Sequence, residues 1–234
     1  MCCILLAGCQ SAISRGVEAR ERNKEVNLSF TIENNLLRLD TVTLDNRAGR
    51  YFLGSAHPRT MVNPSFLPGQ PRHATLSLTN AREAVSLDPI YVDLSKVGDA
   101  IIGFDAWSEH AITINYVEGL ITYQKEGIHT DGMTIYRFED EPAIAVIVDG
   151  RRLPAALDTA IPDTLILPRG TSAAGRAVAA RVEIAGTVFE KVDVTLADVS
   201  RARIGNRLLS KFLVSIDYAQ RHAGLWRDPR VPIK

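Results

Sequence analysis

The sequence has no cysteine after position 9: all three of its cysteines, Cys2, Cys3 and Cys9, lie within the first nine of 234 residues. A body without cysteine cannot be held together by disulfides, and these three lack the spacing and companion histidines of a zinc site. No stretch of about 18 consecutive apolar residues is present, so no transmembrane helix is predicted. The chain therefore has to fold around an ordinary hydrophobic core.

An excess of charge of either sign is also lacking, because 27 Lys and Arg residues balance 27 Asp and Glu residues. A general nucleic-acid binder normally carries a basic excess, so nucleic acid is not an expected partner. There is no glycine-rich phosphate loop and no cluster of His and Cys, so neither a cofactor nor a metal is predicted. The hydrophobic share of 46% and charged share of 23% are typical of globular proteins.

The N-terminal cysteines have one pattern that suggests a role. Residues 5–9 read Leu-Leu-Ala-Gly-Cys, which resembles a bacterial lipobox, where the cysteine becomes lipid-modified. The apolar stretch before Cys9 is too short for a signal sequence, so we expect the true start codon to lie upstream. The alternative is a coincidental cysteine in a frayed terminus. On the lipobox interpretation, residues 1–9 are a signal remnant, residues 10–25 are a polar tether, and Cys9 anchors the protein to the bacterial envelope, facing the periplasm.

The rest of the chain contains an internal repeat. Residues 51–62 match residues 155–166 at a shift of 104, with leucine, alanine, proline and threonine recurring in register. Residues 102–116 match residues 204–218 at a shift of 102, each segment starting with Ile-Gly. Two landmarks in the same order indicate a tandem duplication of about 100 residues. The predicted units are residues 26–124 and 125–234, here called the first and second halves.

Both halves have the alternation of apolar and polar residues that is typical of strands. The predicted strands include residues 28–32, 39–44, 75–78, 112–114, 143–148, 179–184 and 188–196. Helical patterns are confined to residues 104–110 and 206–212. The sequence therefore predicts an all-β fold of two tandem β-barrel lobes with one short helix each.

A motif in the second half resembles a known family. Leu157-Asp158-Thr159-Ala160 follows an apolar strand, and Ile204-Gly205 comes some 46 residues later. This pattern is similar to a lobe of the retropepsin-like and pepsin-like aspartic peptidases (aspartyl proteases), in which a hydrophobic-Gly element threads beside the catalytic loop. The resemblance implies a pepsin-like, two-lobed form, a hydrolase activity on peptide bonds, and Asp158 as the catalytic residue.

The chemistry of that family needs two carboxylates. Each lobe brings one Asp to a shared floor, where like charges close together cannot both ionise. One carboxylate activates a water and the protonated partner donates to the scissile carbonyl. The resemblance implies that the Thr159 hydroxyl ties one loop to the other and that the small Ala160 lets the loops approach. Ala160 replaces the more common glycine, so its φ has to stay negative.

The first half departs from the family pattern. Gly54 stands at the position that matches Asp158, giving Gly54-Ser55-Ala56. Ser55 keeps a hydroxyl at the loop-tying position, so the loop is expected to survive without its carboxylate. Glycine leaves space beside it, in which we expect that a water can sit.

His57, three residues after Gly54, has two interpretations. In one, its imidazole faces Asp158 and supplies a titratable partner. In the other, it is a loop histidine that caps or hydrogen-bonds backbone. The sequence leaves both open.

Three functions follow from these features. The favoured one is a pseudoenzyme, a degenerate lobe pair that binds extended peptide in its cleft beneath hairpins at residues 68–78 and 170–182. The second is an active aspartic endopeptidase in which His57, a water or a second chain completes the dyad of Asp158. The third is a non-catalytic structural or assembly lipoprotein. A monomer is expected, because the first half should already occupy the partner surface of the second.

Overall fold

The computed structural model describes residues 26–79, 83–125, 127–128, 130–169, 181–227, 229 and 231–232. The lipobox prediction for Cys9 and the tether prediction lie outside these residues. The described chain is almost entirely β, which confirms the all-β prediction. Among the described residues, no helix is both long and apolar enough to cross a bilayer.

The largest sheet has eleven strands in the order β12-β21-β20-β10-β11-β1-β2-β4-β9-β5-β8. These strands are β1 Val26–Glu33, β2 Leu36–Leu39, β4 Tyr51–Leu53, β5 Met61–Val62, β8 Ile90–Tyr91, β9 Ala100–Ile102, β10 Ala111–Asn115, β11 Leu120–Gln124, β12 Thr134–Arg137, β20 Phe212–Asp217 and β21 His222–Arg227.

The second sheet has seven strands in the order β17-β16-β13-β14-β19-β15-β18, and a third has the order β3-β6-β7. The seven are β13 Ala143–Val148, β14 Arg151–Leu157, β15 Leu165–Pro168, β16 Arg181–Ile184, β17 Thr187–Glu190, β18 Val194–Ala197 and β19 Ala202–Ile204. The three are β3 Val42–Leu44, β6 Ala74–Leu78 and β7 Glu83–Leu87.

The two predicted helices are shorter than their sequence patterns. Phe104–Ala106 forms one turn of 3₁₀ helix, and α1 spans Asn206–Leu209. The second helix is predicted to extend to Phe212. In the structure Phe212 is buried and is the first residue of β20, which pairs with β21 along its whole length. Strand pairing on this buried residue outweighs the local helical pattern.

Some predicted strands are interrupted. The strand predicted at residues 188–196 is two strands, β17 and β18, because Lys191 between them has a φ of +54°. A left-handed residue turns the chain away from the extended path, so pairing cannot continue through it. The strand predicted at residues 39–44 divides between β2 and β3 without such a residue.

The first and second halves meet at β10 and β20. These strands are antiparallel, with Thr113 opposite Ser215 and their hydroxyl oxygens 2.8 Å apart. From β10 the sheet continues to β11 and β1 of the first half. From β20 it continues in the same way to β21 and β12 of the second half. One hydrophobic core of buried leucine, isoleucine and valine side chains extends through both halves.

Each half contains two parallel strand pairs, and one of them leads into the loop of interest. In the first half this pair is β4 and β9, and in the second it is β14 and β19. Gly54 directly follows β4, and Asp158 directly follows β14. The ends of these two strands therefore carry the residues that the sequence singled out.

Candidate functional site

The loops after β4 and β14 leave their strands in the same way. The N–H of Gly54 donates to the carbonyl of Ile102 at 2.8 Å, and the N–H of Asp158 donates to the carbonyl of Ile204 at 2.9 Å. Each parallel pair thus continues one hydrogen bond past its last paired residue. This fixes the path of the chain into both loops.

Ser55 and Thr159 join the two loops by reciprocal hydrogen bonds. The N–H of Ser55 donates to Oγ1 of Thr159, and the N–H of Thr159 donates to Oγ of Ser55, both at 3.0 Å. The Ser55 hydroxyl donates to the carbonyl of Leu157 at 2.6 Å, and the Thr159 hydroxyl donates to that of Leu53 at 2.7 Å. Both side chains are fully buried. These are the loop-tying contacts that the family resemblance implied for the two hydroxyls.

The loops are also held by the Ile-Gly elements. A Cβ added at Gly205 would lie 2.0 Å from the carbonyl oxygen of Asp163, and one added at Gly103 would lie 2.6 Å from that of Arg59. Only glycine permits so close an approach of two backbones. In each half, the segment after the loop therefore threads against this glycine.

Asn206 fixes the loop of Asp158 from behind. Its Nδ2 donates to the carbonyls of Thr159 at 2.7 Å and Asn35 at 2.6 Å, and its Oδ1 accepts from the Tyr116 hydroxyl at 2.8 Å. Burial raises the pKa of Tyr116 well above its usual range, so this donor keeps its proton. The loop backbone is thus held by an amide whose oxygen and nitrogen are both hydrogen-bonded.

The Asp158 carboxylate is almost completely enclosed, with 1% of the residue exposed. Its Oδ1 accepts the N–H of Ala160 at 3.0 Å, and its Oδ2 accepts Nη1 of Arg203 at 2.6 Å. Ala160 keeps a negative φ, as expected of an alanine at this position. Both oxygens of the only motif carboxylate are therefore engaged by groups of the protein itself.

Arg203 connects Asp158 to a row of alternating charges. Its Nη2 lies 3.6 Å from Oε2 of Glu141, whose Oε1 lies 3.1 Å from Nε of Arg201. Neither Arg203 nor Glu141 was predicted from the sequence to belong to the site. At the repeat shift of 102, Arg203 matches Ile101. A charged residue between the apolar Ala202 and Ile204, where the other half has isoleucine, was the signal in the sequence that pointed to Arg203.

The space beside Gly54 is occupied. A Cβ added at Gly54 would lie 2.6 Å from Cγ2 of Ile101 and 3.0 Å from Cδ2 of His57. The expectation that a water can sit beside Gly54 is therefore wrong at the Cβ position, because these side chains fill it. Ile101 takes the place beside Gly54 that Arg203 takes beside Asp158.

The imidazole of His57 faces the site. Its Nε2 lies 3.7 Å from Oδ1 of Asp158, and 28% of the side chain is exposed. This distance is too long for a hydrogen bond but short enough for charge attraction when the ring is protonated. Of the two interpretations of His57, the geometry favours the one in which the ring faces Asp158.

The arrangement differs from a two-carboxylate dyad. In the described part of the chain, the carboxylate of Glu141 reaches Asp158 only through Arg203. No cluster of three or more His, Cys, Asp and Glu side chains suited to a metal is found among the described residues. The hairpin predicted at residues 68–78 is wrong in its bounds: within them only β6 (Ala74–Leu78) is a strand, and its hairpin partner is β7 (Glu83–Leu87). The one predicted at residues 170–182 lies largely outside the described residues.

Comparison of the chain with protein-family models finds no match, and comparison with curated proteins finds none either. The site consists of a buried, arginine-paired carboxylate on a pair of hydrogen-bonded loops.

Proposed function

We propose that this protein is an aspartic-peptidase-like envelope protein whose lobe pair binds extended polypeptide without hydrolysing it. The observation that carries the proposal is the ion pair between Arg203 and Asp158. It places a guanidinium on the carboxylate oxygen that an aspartic peptidase would offer to a water or a substrate. Each oxygen of this carboxylate already accepts a bond from the protein, and with 1% of the residue exposed the carboxylate is poorly accessible to either.

The first half supports the same conclusion. Gly54 supplies no carboxylate, and Ile101 lies where the side chain of an aspartate would begin. The mechanism needs one group to activate water and a second to donate a proton. At position 54 the first half has no carboxylate, and Ile101 and His57 leave no room for one.

Retention of the loop-tying contacts supports a binding role. Ser55 and Thr159 keep four buried hydrogen bonds between the loops although the dyad is incomplete. Such a network maintains the geometry of a floor between two halves. A floor of this kind, flanked by strands, suits an extended chain that bonds mainly through its backbone.

The direct test measures hydrolysis and binding on the same sample. The wild type and Asp158→Asn are incubated with a peptide library between about pH 3 and 7, where aspartic peptidases work. We expect no hydrolysis by either, and retention of a subset of peptides by both. Hydrolysis by the wild type that is lost in folded Asp158→Asn would contradict the proposal, and a lack of any binding would favour a structural or assembly lipoprotein.

A designed variant tests whether the identified residues block catalysis. Gly54→Asp restores the missing acid, Ile101→Ala makes room for it, and Arg203→Ile frees Asp158. We expect hydrolysis to appear only when all three changes are combined. The variant with Gly54→Asp and Ile101→Ala alone is the matched control, since Arg203 still covers Asp158 there.

One observation favours the alternative of an active endopeptidase. The approach of His57 to within 3.7 Å of Asp158 places a titratable ring beside the carboxylate. In that case His57→Phe would abolish hydrolysis while leaving peptide binding intact. Under the favoured proposal there is no hydrolysis for His57→Phe to change.

The envelope location is tested separately. We propose that Cys9 carries a lipid anchor and that the folded body lies on the periplasmic side. The full gene, with its upstream sequence, is expressed in a bacterium fed a labelled fatty acid. Label and membrane association are expected in the wild type and not in Cys9→Ser, while Cys2→Ser is the matched control that keeps both.

A further inference from the structure

A second candidate site lies away from Asp158, between β12 and the hairpin of β13 and β14. A cleft of about 620 Å³ opens there. Its walls include Ile135 and Tyr136 from β12, Ala143 and Ala145 from β13, and Leu153 from β14. Charges of both signs line the cleft, among them Arg137, Arg152, Glu139 and Asp140.

In the first half, the matching place is covered by the chain itself. β1 pairs with β11 through its first four residues, and its last four, Phe30–Glu33, pair with β2. Arg38 and Leu39 of β2 therefore have a neighbour on both sides, since they also pair with β4. Phe30 of the covering strand is buried, whereas Ile32 is 53% exposed.

The second half lacks this covering strand. β12 pairs with β21 through Thr134–Arg137 and ends there. Residues 138–142 then lead directly into β13. β13 pairs with β14 along its whole length but with β16 only through Val146–Val148. Within the described residues, the segment from Ala143 to Ala145 thus has a paired strand on one side only.

The backbone of this segment presents donors to the cleft. β13 and β14 are joined by the two-residue turn Asp149-Gly150, both with positive φ, so Val148 and Arg151 form a hydrogen-bonded pair. Hydrogen-bonded pairs alternate with non-bonded ones along an antiparallel ladder, which directs the N–H groups of Ala143 and Ala145 away from β14. Outside the strand ladders, no backbone hydrogen bond of the described chain involves either residue.

The side chains beside these donors are apolar and accessible. Ile135 is 38% exposed, and it is one of few large apolar side chains that the described surface exposes. β12, which carries Ile135, is itself the outermost strand of its sheet. An open strand edge next to apolar side chains is the arrangement that binds an added strand.

We propose that a short extended segment of a partner polypeptide, apolar at alternate positions, adds as a strand beside Ala143–Ala145 in this cleft. The occupant is argued from the first half, where a strand of that character, Phe30–Glu33, covers the matching edge of β2. Because the cleft carries both signs of charge, recognition rests on backbone bonds and apolar contacts. The site is separate from Asp158 and does not depend on the function proposed above.

The probe is a fluorescein-labelled peptide with the sequence of residues 28–35, the strand that covers β2. Binding to the wild-type protein is followed by fluorescence anisotropy and is expected in the micromolar range. Ala145→Pro removes the donor that faces the cleft and leaves the β14 ladder intact, because Ala145 and Pro154 are a non-bonded pair and the N–H of Ala145 points away from β14. We expect this change to weaken binding by about tenfold.

Ile135→Ser is the second variant, and it tests whether the peptide binds in the cleft if Ala145→Pro does not fold. It is expected to weaken binding several-fold, since it removes an exposed apolar contact without touching the core. Val117→Ser, an exposed apolar residue outside the cleft, is the matched control and should bind as the wild type does.

Three results would overturn the proposal. One is no binding of the peptide by folded wild type. Another is equal binding by the wild type, Ala145→Pro and Ile135→Ser. The third is concentration-dependent dimerisation of the wild type, without peptide binding, that Ile135→Ser removes, because this would assign the edge to a second copy of the chain.

Discussion

Arg203 donates from Nη1 to the buried Oδ2 of Asp158 at 2.6 Å, so the only motif aspartate of the chain is the acceptor of an ion pair. At the matching place in the first half, Ile101 packs beside Gly54. The second half therefore has a charged pair, Asp158 and Arg203, where the first half has an apolar pair, Gly54 and Ile101. The proposed lack of hydrolysis depends on this relationship more than on the absence of one carboxylate.

The ion pair predicts strong coupling between its partners. Arg203→Ile leaves the Asp158 carboxylate buried without a cation and is expected to lower the free energy of unfolding by about 3–5 kcal/mol. The double variant Asp158→Gly/Arg203→Ile reproduces the pair found in the first half. It is expected to lose less than Arg203→Ile alone, as measured by urea unfolding.

Arg201→Ile is the control for this cycle. Arg201 pairs with Glu141 and is more exposed than Arg203, so its loss should cost about 1 kcal/mol or less. The cycle is completed by Asp158→Gly alone. If the losses of Asp158→Gly and Arg203→Ile add up to the loss of the double variant within about 0.5 kcal/mol, the two residues are not coupled and our view of the site is incorrect.

The reciprocal bonds between Ser55 and Thr159 predict a cost at either position. Ser55→Ala removes a buried acceptor and donor and leaves the N–H of Thr159 and the carbonyl of Leu157 without partners. We expect a loss of about 2–3 kcal/mol, and a similar loss for Thr159→Val. Thr122→Val, which removes an exposed bond to Asn27, is the control and should cost under about 1 kcal/mol. Additive losses in Ser55→Ala/Thr159→Val would argue against a shared network.

The glycines of the Ile-Gly elements predict a steric effect. Gly205→Ala places a methyl group 2.0 Å from the carbonyl oxygen of Asp163, so the loop or the strand has to move. We expect a loss of at least about 3 kcal/mol or failure to fold. Gly150→Ala is the control: its φ is +79° but nothing lies near its Cβ, so it should cost only about 1 kcal/mol. Equal effects of the two changes would show that backbone approach is not the cause.

The tyrosines predict how stability depends on alkaline pH. Burial raises the pKa of all six, and for Tyr51 the value is about 12. The unfolded chain releases these protons near pH 10, while the folded chain keeps them. The stability they contribute is therefore complete below about pH 10 and is lost as the pH rises through the raised values.

Absorbance of the phenolate measures this effect. In the native protein it should appear at higher pH than in urea, and it should coincide with loss of the circular dichroism of the fold. Tyr51→Phe should reduce the dependence of the free energy of unfolding on pH above about 10. Ordinary titration of all six tyrosines near pH 10 in a folded sample would contradict the burial argument.

The all-β class was predictable because alternation of apolar and polar residues is a local property of strands. The ends of elements were less predictable. Phe212 belongs to a strand although it continues a helical pattern, and Lys191 divides one predicted strand into two. Both outcomes depend on pairing partners and backbone angles that neighbouring letters do not specify.

By itself, the sequence determined where the two corresponding loops lie: the motif at Asp158, the hydroxyls of Ser55 and Thr159, and the glycine at position 54 all follow from matching short segments. Only the tertiary structure decided what surrounds them. Arg203 lies 45 residues after Asp158 and reaches it because β14 and β19 pair side by side. Ile101 reaches Gly54 through the corresponding pair in the first half. The contents of the site depend on side chains from distant strands, and strand pairing alone brings them together.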